Sequence, residues 1–232
     1  MIETTIIIPF YYKFDLFKLV FENNEKYFNS THEIIITVDE PDSGVLLKEF
    51  FKDKQLAYSL KILENKNKHE YRTPAKAINV GIRQASGKFI IITYPNSLFL
   101  TNIPELLVNE CKFSFELNKV YCTTYGRCIF TNKEDFLKTD FDSQKYFWYG
   151  SLCSTKDALI KIQGIDENTT YWGSDDIDTI TRLAIAGYSN GIAIEEAKII
   201  QVETTRKERI KNPRYTYLST YKGNTDDWGK DF

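Results

Sequence analysis

Acidic side chains concentrate in one short stretch of the sequence, at Asp175, Asp176 and Asp178, directly after a Tyr-Trp-Gly-Ser run. A carboxylate can accept the proton of a hydroxyl group as that hydroxyl attacks an electrophilic carbon. Neighbouring carboxylates can bind sugar hydroxyls, and Trp172 offers a flat apolar face for a sugar ring. The pattern therefore fits transfer of a sugar to a hydroxyl acceptor. It equally fits an ordinary helix start, in which acidic side chains cap the first turn.

Apolar spacing predicts a helix over residues 175–186 that is closed by Gly187. We expect the amides and the dipole at the start of this helix to hold Asp175 and Asp176 ionised, which keeps a base ready at neutral pH. Asp178 and Arg182 are one helical turn apart, so this pair could be purely structural.

The first hundred residues alternate between predicted strands and helices. Buried strands are predicted at 4–9, 33–38, 60–63 and 89–93, and helices at 15–28, 45–52 and 73–85. Such alternation predicts a parallel sheet with helices packed on it, in which ligands bind beyond the carboxyl ends of the strands. Those ends carry Pro9-Phe10-Tyr11, Asp39 and Tyr94-Pro95-Asn96.

The second half of the sequence is less regular. Helices are predicted at 102–116 and 155–162, strands at 120–130 and 193–202, and a polar loop at 131–145. A chain of 232 residues can form a single domain, which we divide into a nucleotide-binding half (1–100), an acceptor and catalytic half (101–205) and a tail (206–232).

Composition argues against several classes of function. A net charge of -2 argues against nucleic-acid binding, although a short basic run at 206–214 could face phosphates, an anionic membrane or solvent. The four cysteines form no CxxC pair, so a zinc site is disfavoured and reduced thiols in the cytoplasm are expected. Neither a leader nor an apolar run of roughly 20 residues is visible, so we expect at most peripheral contact with the inner face of a membrane.

Four segments, taken in order, resemble inverting GT-A glycosyltransferases of bacterial family 2 and of the β-1,4-galactosyltransferase (family 7) type. Residues 163–188, QGIDENTTYWGSDDIDTITRLAIAGY, are similar to the acceptor-side pattern GGFDE…WGxEDxDxxxRL…GY. Residues 75–81, AKAINVG, resemble AKxLNVG. Residues 5–10 with 35–39 resemble IIIPxxN…IIVVDD, and residues 147–150, FWYG, resemble YFGG.

The resemblance implies a GT-A fold, a three-layer α/β/α arrangement with a mostly parallel central sheet. It implies an inverting hexosyltransferase, with galactose as one candidate sugar, that uses a UDP-sugar and a free or lipid-linked glycan acceptor in polysaccharide biosynthesis. Asp176 takes the position of the catalytic base, beside Asp175. Donor-binding positions fall on Pro9, Phe10, Tyr11, Asp39, Lys76, Asn79, Tyr94 and Asn96, and sugar- and acceptor-binding positions fall on Trp172, Gly173, Gly150 and Tyr149.

The chain departs from the family at the metal site. The family binds Mn²⁺ or Mg²⁺ through an Asp-x-Asp motif, whereas Tyr94-Pro95-Asn96 stands here, with Asn96 at the second aspartate position. The family also has a metal-binding histidine later in its sequence. That histidine is absent here, and the corresponding position falls near Glu203.

Three alternatives remain at this metal site. In the first, Asn96 and Glu203 hold a cation. In the second, no metal is used, and Arg206, Lys207 or Arg209 offsets the charge of the phosphates. In the third, the protein binds nucleotide-sugars or glycans without catalysis. A dinucleotide-binding enzyme is disfavoured, since no GxGxxG follows the first strand. A nucleotidyltransferase is disfavoured too, since that strand is not followed by a loop rich in glycine and basic residues.

Overall fold

A computed structural model describes residues 1–66, 74–113, 119–130, 140, 147–168, 175–204, 223–230 and 232. At 125, 127–130, 147–149, 203 and 204 the description covers the backbone alone. Thr73, the first residue of the helix predicted at 73–85, lies outside the described residues. So do Trp172, Gly173, Arg206, Lys207, Arg209 and the loop predicted at 131–145, except residue 140.

The first four strands pair in parallel, as the alternating pattern predicts. They are β1 (Thr4–Phe10), β2 (His32–Val38), β3 (Ser59–Glu64) and β4 (Phe89–Ile92), and they lie in the order β3-β2-β1-β4. Every residue of β1, β2 and β4 is buried. Burial on both faces explains why these strands read as continuous apolar runs instead of alternating ones.

Within the described residues, six helices cover the two faces of the sheet. Their bounds are α1 Phe14–Asn24, α2 Val45–Phe51, α3 Pro74–Gln84, α4 Ile103–Phe113, α5 Lys156–Lys161 and α6 Asp175–Ile185. Successive side chains of a strand point to opposite faces, so Ile6 packs with residues of α1, α2 and α4 whereas Ile7 packs with residues of α3, α5 and α6. The result is the three-layer α/β/α arrangement that the resemblance implies.

Four further strands among the described residues make the sheet mixed. They are β5 (Ser97–Phe99), β6 (Tyr121–Phe130), β7 (Phe147–Thr155) and β8 (Ile192–Thr204), and the whole order is β3-β2-β1-β4-β7-β6-β8-β5. β7 runs antiparallel to both β4 and β6, β8 is parallel to β6, and β5 is antiparallel to β8.

Two strands, β5 and β7, were not predicted. β5 has three residues, too few for any periodic pattern. β7 contains Gly150 and the small polar residues Ser151 and Ser154, which weaken the apolar signal of a buried strand. The predicted helix at 15–28 is also too long, because α1 ends at Asn24 and a 3₁₀ turn, Glu25–Tyr27, follows it. No helix within the described ranges is long and apolar enough to cross a membrane.

Candidate active site at the carboxyl edge of the sheet

The carboxyl ends of β1, β2 and β4 meet at one edge of the sheet, because the three strands are parallel. The amide of Asp39 donates to the carbonyl of Phe10 at 3.0 Å, and the amide of Thr93 donates to the carbonyl of Ile7 at 3.1 Å. α3 connects β3 to β4 and runs back against the strands, so its first turn, with the half-buried Lys76, lies toward this edge. The sequence therefore correctly predicts which strand ends come together.

β7 brings Gly150 to the same edge. Because β7 is antiparallel to β4 and Leu152 pairs with Ile92, the chain before Leu152 continues beyond the end of β4. Ser151 and Thr93 share a hydrogen bond between their hydroxyls at 2.7 Å, and the Ser151 amide donates to Thr123 Oγ1 at 2.7 Å. Sequence reasoning missed this hydroxyl pair, and the only signal for it was a serine directly after the Gly150 that resembles the family motif. Tyr149 lies in β7 just before Gly150, described by its backbone alone.

The first turn of α6 carries Asp175, Asp176 and Asp178 and is here called the acidic turn. It contacts this edge of the sheet through Tyr94. α6 begins at Asp175, and the hydroxyl of Tyr94 donates to Asp175 Oδ2 at 3.3 Å. Asp175 is 9% exposed, whereas Asp176 is half-buried and its Oδ1 accepts the amide of Ile177 at 2.8 Å. Asp178, three residues after Asp175, is 3% exposed and pairs with Arg182 at 2.7 Å in the protein interior. Of the three carboxylates, Asp176 is therefore the most accessible from the edge.

The pKa values of Asp175 and Asp176 depend on their burial as well as on the helix start. Burial, reinforced by the charge of Asp176, raises the pKa of Asp175 to about 6, even though the Tyr94 hydroxyl and backbone amides oppose the shift. Burial also raises the pKa of Asp176. Desolvation outweighs the backbone amides at Asp175, but a pKa of about 6 still leaves this carboxyl group mostly ionised at pH 7. A carboxylate with a raised pKa is a better proton acceptor near neutral pH.

Two neighbouring groups remain protonated. Burial and the charges of Asp175 and Asp176 raise the pKa of Tyr94 well above its usual value, so its hydroxyl acts as a donor. Burial, and then the charge of Asp176, raises the pKa of the Cys122 thiol to about 12. The charge of Asp176 thus acts on Tyr94, just after β4, and on Cys122 in β6.

Two residues predicted to line the donor site belong to the core. The ring of Phe10 is 1% exposed and packs edge-on against Phe17 with 5.4 Å between ring centroids, and Pro9 is buried within β1. The Phe10 side chain, at the end of β1, thus packs in the helix layer, and its assignment to nucleotide binding stays a prediction. Tyr11, which is 44% exposed, and the buried Asp39 remain at the strand ends.

Asn79, which was also predicted to bind the donor, points into the protein interior. Its side chain is fully buried, donates to the carbonyl of Ile165 at 2.7 Å and to Glu167 Oε1 at 2.8 Å, and accepts the amide of Ile165 at 2.8 Å. These contacts hold the loop before the acidic turn against α3. The resemblance identified an important asparagine, but it did not indicate which way that side chain points.

The donor set for a divalent cation is incomplete. Asn96 Nδ2 donates to the carbonyl of Val202 at 3.0 Å, and the Val202 amide donates to the carbonyl of Asn96 at 2.9 Å. This pairing brings Asn96 beside the backbone that leads into Glu203, whose side chain is outside the described set. Within the described part of the chain, no three His, Cys, Asp or Glu side chains cluster as metal ligands. The described side chains alone therefore do not form a metal site.

Solved structures with the same arrangement define the class of the protein. A mannosyltransferase of Pyrobaculum calidifontis, solved with GDP-Man and Mn²⁺, superposes with a TM-score of 0.59 at 18% identity over 85% of this chain and 56% of that one. The catalytic domain of Drosophila β1,4-galactosyltransferase 7, with xylobiose, gives 0.55 at 16% identity over 94% and 77%. S. aureus TarS with UDP-GlcNAc gives 0.60 at 15% identity over 88% and 59%. The chain has the GT-A fold of glycosyltransferases.

Sequence comparison then gives a partial match to one protein family. Residues 129–215 match the family described as the N-terminal domain of galactosyltransferase. An uncharacterized glycosyltransferase of Rickettsia bellii is 33% identical over 131 residues, which are 54% of this chain and 17% of that protein. The chain thus spans about a sixth of the curated relative that it matches. It is a GT-A glycosyltransferase homologue that resembles family 7.

Proposed function

We propose that this chain transfers a hexose from a UDP-sugar to a hydroxyl of a glycan acceptor, with inversion at the anomeric carbon and with Asp176 as the general base. The observation that carries the proposal is the contact between Tyr94 and Asp175 at 3.3 Å, since it brings the acidic turn to the strand ends where α/β sheets bind ligands. The match of residues 129–215 to a galactosyltransferase domain supports the reaction class and makes galactose one candidate sugar.

The proposed reaction is a single displacement. The acceptor hydroxyl attacks the anomeric carbon, Asp176 accepts the hydroxyl proton, and the bond to the β-phosphate oxygen breaks as UDP leaves with the electron pair. Asp175, held by Tyr94, binds a sugar hydroxyl and orients the acceptor. Trp172 and Gly173 complete the sugar site in this proposal, and Gly150 lets the backbone approach the ring.

The donor lies along the strand ends in this proposal. Tyr11 and Asp39 contact the nucleoside, and Lys76 in the first turn of α3 faces the diphosphate. Arg206, Lys207 or Arg209 offsets the remaining phosphate charge, since Tyr94 and Asn96 stand where the family has metal-binding aspartates. The acceptor is a free or lipid-linked glycan of a polysaccharide, and the reaction takes place in the cytoplasm with at most peripheral membrane contact.

An Asp176→Asn variant tests the base. We expect the rate of sugar transfer to fall by a factor on the order of 10² to 10⁴, the usual effect of losing a general base, with UDP affinity unchanged in calorimetry. Asp157→Asn is the matched control, because Asp157 is an exposed aspartate in the first turn of α5. Normal turnover by the Asp176 variant would rule out this role.

A second candidate is a GT-A protein that binds a nucleotide-sugar or a glycan without catalysis. The favouring observation is the engagement of the Asn96 amide by Val202, at a position where the family places a metal-binding carboxylate. Calorimetry with UDP, with and without Mn²⁺, combined with a panel of sugar donors, separates the two. Binding of UDP without any transfer or donor hydrolysis would favour this second candidate.

A further inference from the structure

Residues 223–230, here called the Trp228 clasp, pack against the loop that leads to the acidic turn. Trp228 is 4% exposed, and the guanidinium of Arg83 lies over its ring at 4.4 Å. On its other side the ring lies so close to Gly164 that a Cβ added there would be 2.7 Å from Trp228 Cζ3. The clasp therefore fits a surface formed jointly by α3 and the loop at 162–168.

Asn224 forms hydrogen bonds with three polar backbone groups of this loop. Its Nδ2 donates to the carbonyls of Gln163 at 2.7 Å and Ile165 at 2.6 Å, and its Oδ1 accepts the amide of Glu167 at 2.8 Å. The amide of Gly229 donates to Glu167 Oε1 at 2.8 Å. Gln163, with φ 60°, has a left-handed backbone that costs about 1–3 kcal/mol and persists only when surrounding contacts fix it.

The loop is joined to the acidic turn through Arg182. Its guanidinium donates from one terminal nitrogen to the carbonyl of Ile162 and from the other to that of Gly164, each at 2.7 Å. Its Nε donates to Asp178 Oδ2 at 2.7 Å, and Arg182 and Asp178 are 5% and 3% exposed. Asp178 belongs to the same first turn of α6 as Asp175 and Asp176. A series of buried and part-buried contacts thus runs from the clasp to the first turn of α6, which also carries the candidate base.

We propose that Asn224 and Trp228 are positioning residues that fix the acidic turn at the sheet edge by way of the 162–168 loop and Arg182. This inference rests on the proposed transfer reaction, in which the distance of Asp176 from the acceptor decides the rate. A displacement of about 1 Å can cost about 10²-fold in rate, so a rigid support behind the turn has a direct kinetic consequence. Neither residue touches the site itself.

Asn224→Ala and Trp228→Leu test the proposal, with Trp228→Phe as the conservative variant. Asp227→Ala is the matched control within the clasp, because Asp227 makes an exposed ion pair with Lys230 at 2.7 Å. We expect kcat to fall at least tenfold in the first two variants, with the donor KM within twofold of the original. Phe at 228 should recover most of the rate, and the control should change nothing.

Two further readouts separate positioning from a general loss of stability. A loosened turn is better hydrated, so the acidic limb of the pH–rate profile should move to lower pH in Asn224→Ala. Hydrogen exchange should become faster at 162–168 and 175–180 while β1 and β2 stay protected. A rate that falls equally at every pH, with uniformly faster exchange, would show only destabilisation and would overturn the proposal.

The exchange experiment also keeps this proposal apart from the proposed function. If the unmodified protein transfers no sugar, faster exchange at 175–180 in Asn224→Ala still supports the link from the clasp to the acidic turn. Unchanged exchange there overturns the link, whatever the activity. If Trp228→Leu fails to fold, Asn224→Ala and Trp228→Phe decide the outcome.

Discussion

The hydroxyl of Tyr94 donates to Asp175 Oδ2 at 3.3 Å, and this contact joins the end of β4 to the start of α6 across 81 positions of sequence. Tyr94 stands where the resemblance places the first metal-binding aspartate of the family. A protonated phenol at this position donates to a carboxylate and favours its charged form, whereas an aspartate there would repel it. The exchange of aspartate for tyrosine therefore changes both the partner of Asp175 and its protonation.

Removing that hydroxyl should raise the pKa of Asp175 further, because the Tyr94 hydrogen bond is one of the contacts that lowers it. We expect Tyr94→Phe to slow transfer about tenfold at pH 7, since a charge-assisted hydrogen bond contributes about 1.5–3 kcal/mol. Carboxyl titration followed by NMR should show the shift of Asp175 directly. Tyr27→Phe is the control, since the Tyr27 hydroxyl bonds to the carbonyl of Leu100 at 3.4 Å. An unshifted Asp175 would mean that the bond does not form in solution.

Asp175 should decrease the stability of the folded protein at neutral pH. Its folded pKa of about 6 lies above the ordinary value of 3.8, so the folded state binds the proton more tightly than the unfolded state does. Stability is then highest below pH 4 for this group and is lost as the pH rises through 6. We expect Asp175→Asn to raise the free energy of unfolding at pH 8 by up to about 3 kcal/mol, and by little at pH 4.

Urea unfolding at the two pH values measures this difference. Equal effects of Asp175→Asn at pH 4 and pH 8 would contradict the raised pKa. A gain in stability that comes with a loss of transfer would mark Asp175 as a residue kept for function in spite of its cost.

Arg182 should be among the least replaceable residues of the second half. Arg182→Met removes the cation that pairs with the buried Asp178 carboxylate and removes the donors to the carbonyls of Ile162 and Gly164. We expect a loss of about 3–5 kcal/mol in the free energy of unfolding, the usual consequence of breaking a buried pair. The double variant with Asp178→Leu should recover part of that loss. A loss below about 1 kcal/mol in chemical denaturation would be inconsistent with a buried pair.

Asn96 should not tolerate the aspartate that the family has at this position. Asn96→Asp replaces the Nδ2 donor with a carboxylate oxygen that faces the carbonyl of Val202. We expect a cost of about 1–3 kcal/mol in the absence of a divalent cation, measured by thermal or chemical unfolding. Asn29→Asp should be nearly neutral, because Asn29 uses its side-chain oxygen to accept from the amide and hydroxyl of Thr31. An Asn96→Asp variant as stable as the original protein would show that the hydrogen bond from Asn96 Nδ2 to the Val202 carbonyl does not contribute to stability.

The strands of the first half were predictable because β-branched residues form buried runs that end at turn residues, and parallel pairing then locates their ends. The acidic turn was predictable from its density of carboxylates. The orientation of Phe10 and Asn79 was not, because a match to a motif does not say which layer a side chain enters. The clasp was not predictable either, since Asn224 and Trp228 act through contacts with residues about sixty positions earlier and show no period of their own.

The location of β5 has a consequence for how the nascent chain matures. Ser97–Phe99 is synthesised soon after β4, and Asn24 can hold it at once, donating to the carbonyl of Ser97 and accepting the amide of Phe99, both at 2.8 Å. Its strand partner, however, consists of residues 199–201, which leave the ribosome about a hundred residues later. Until then the emerging protein presents an unpaired strand edge, the kind of surface that other chains can join. Asn24 thus forms two hydrogen bonds that can hold β5 before residues 199–201 pair with it.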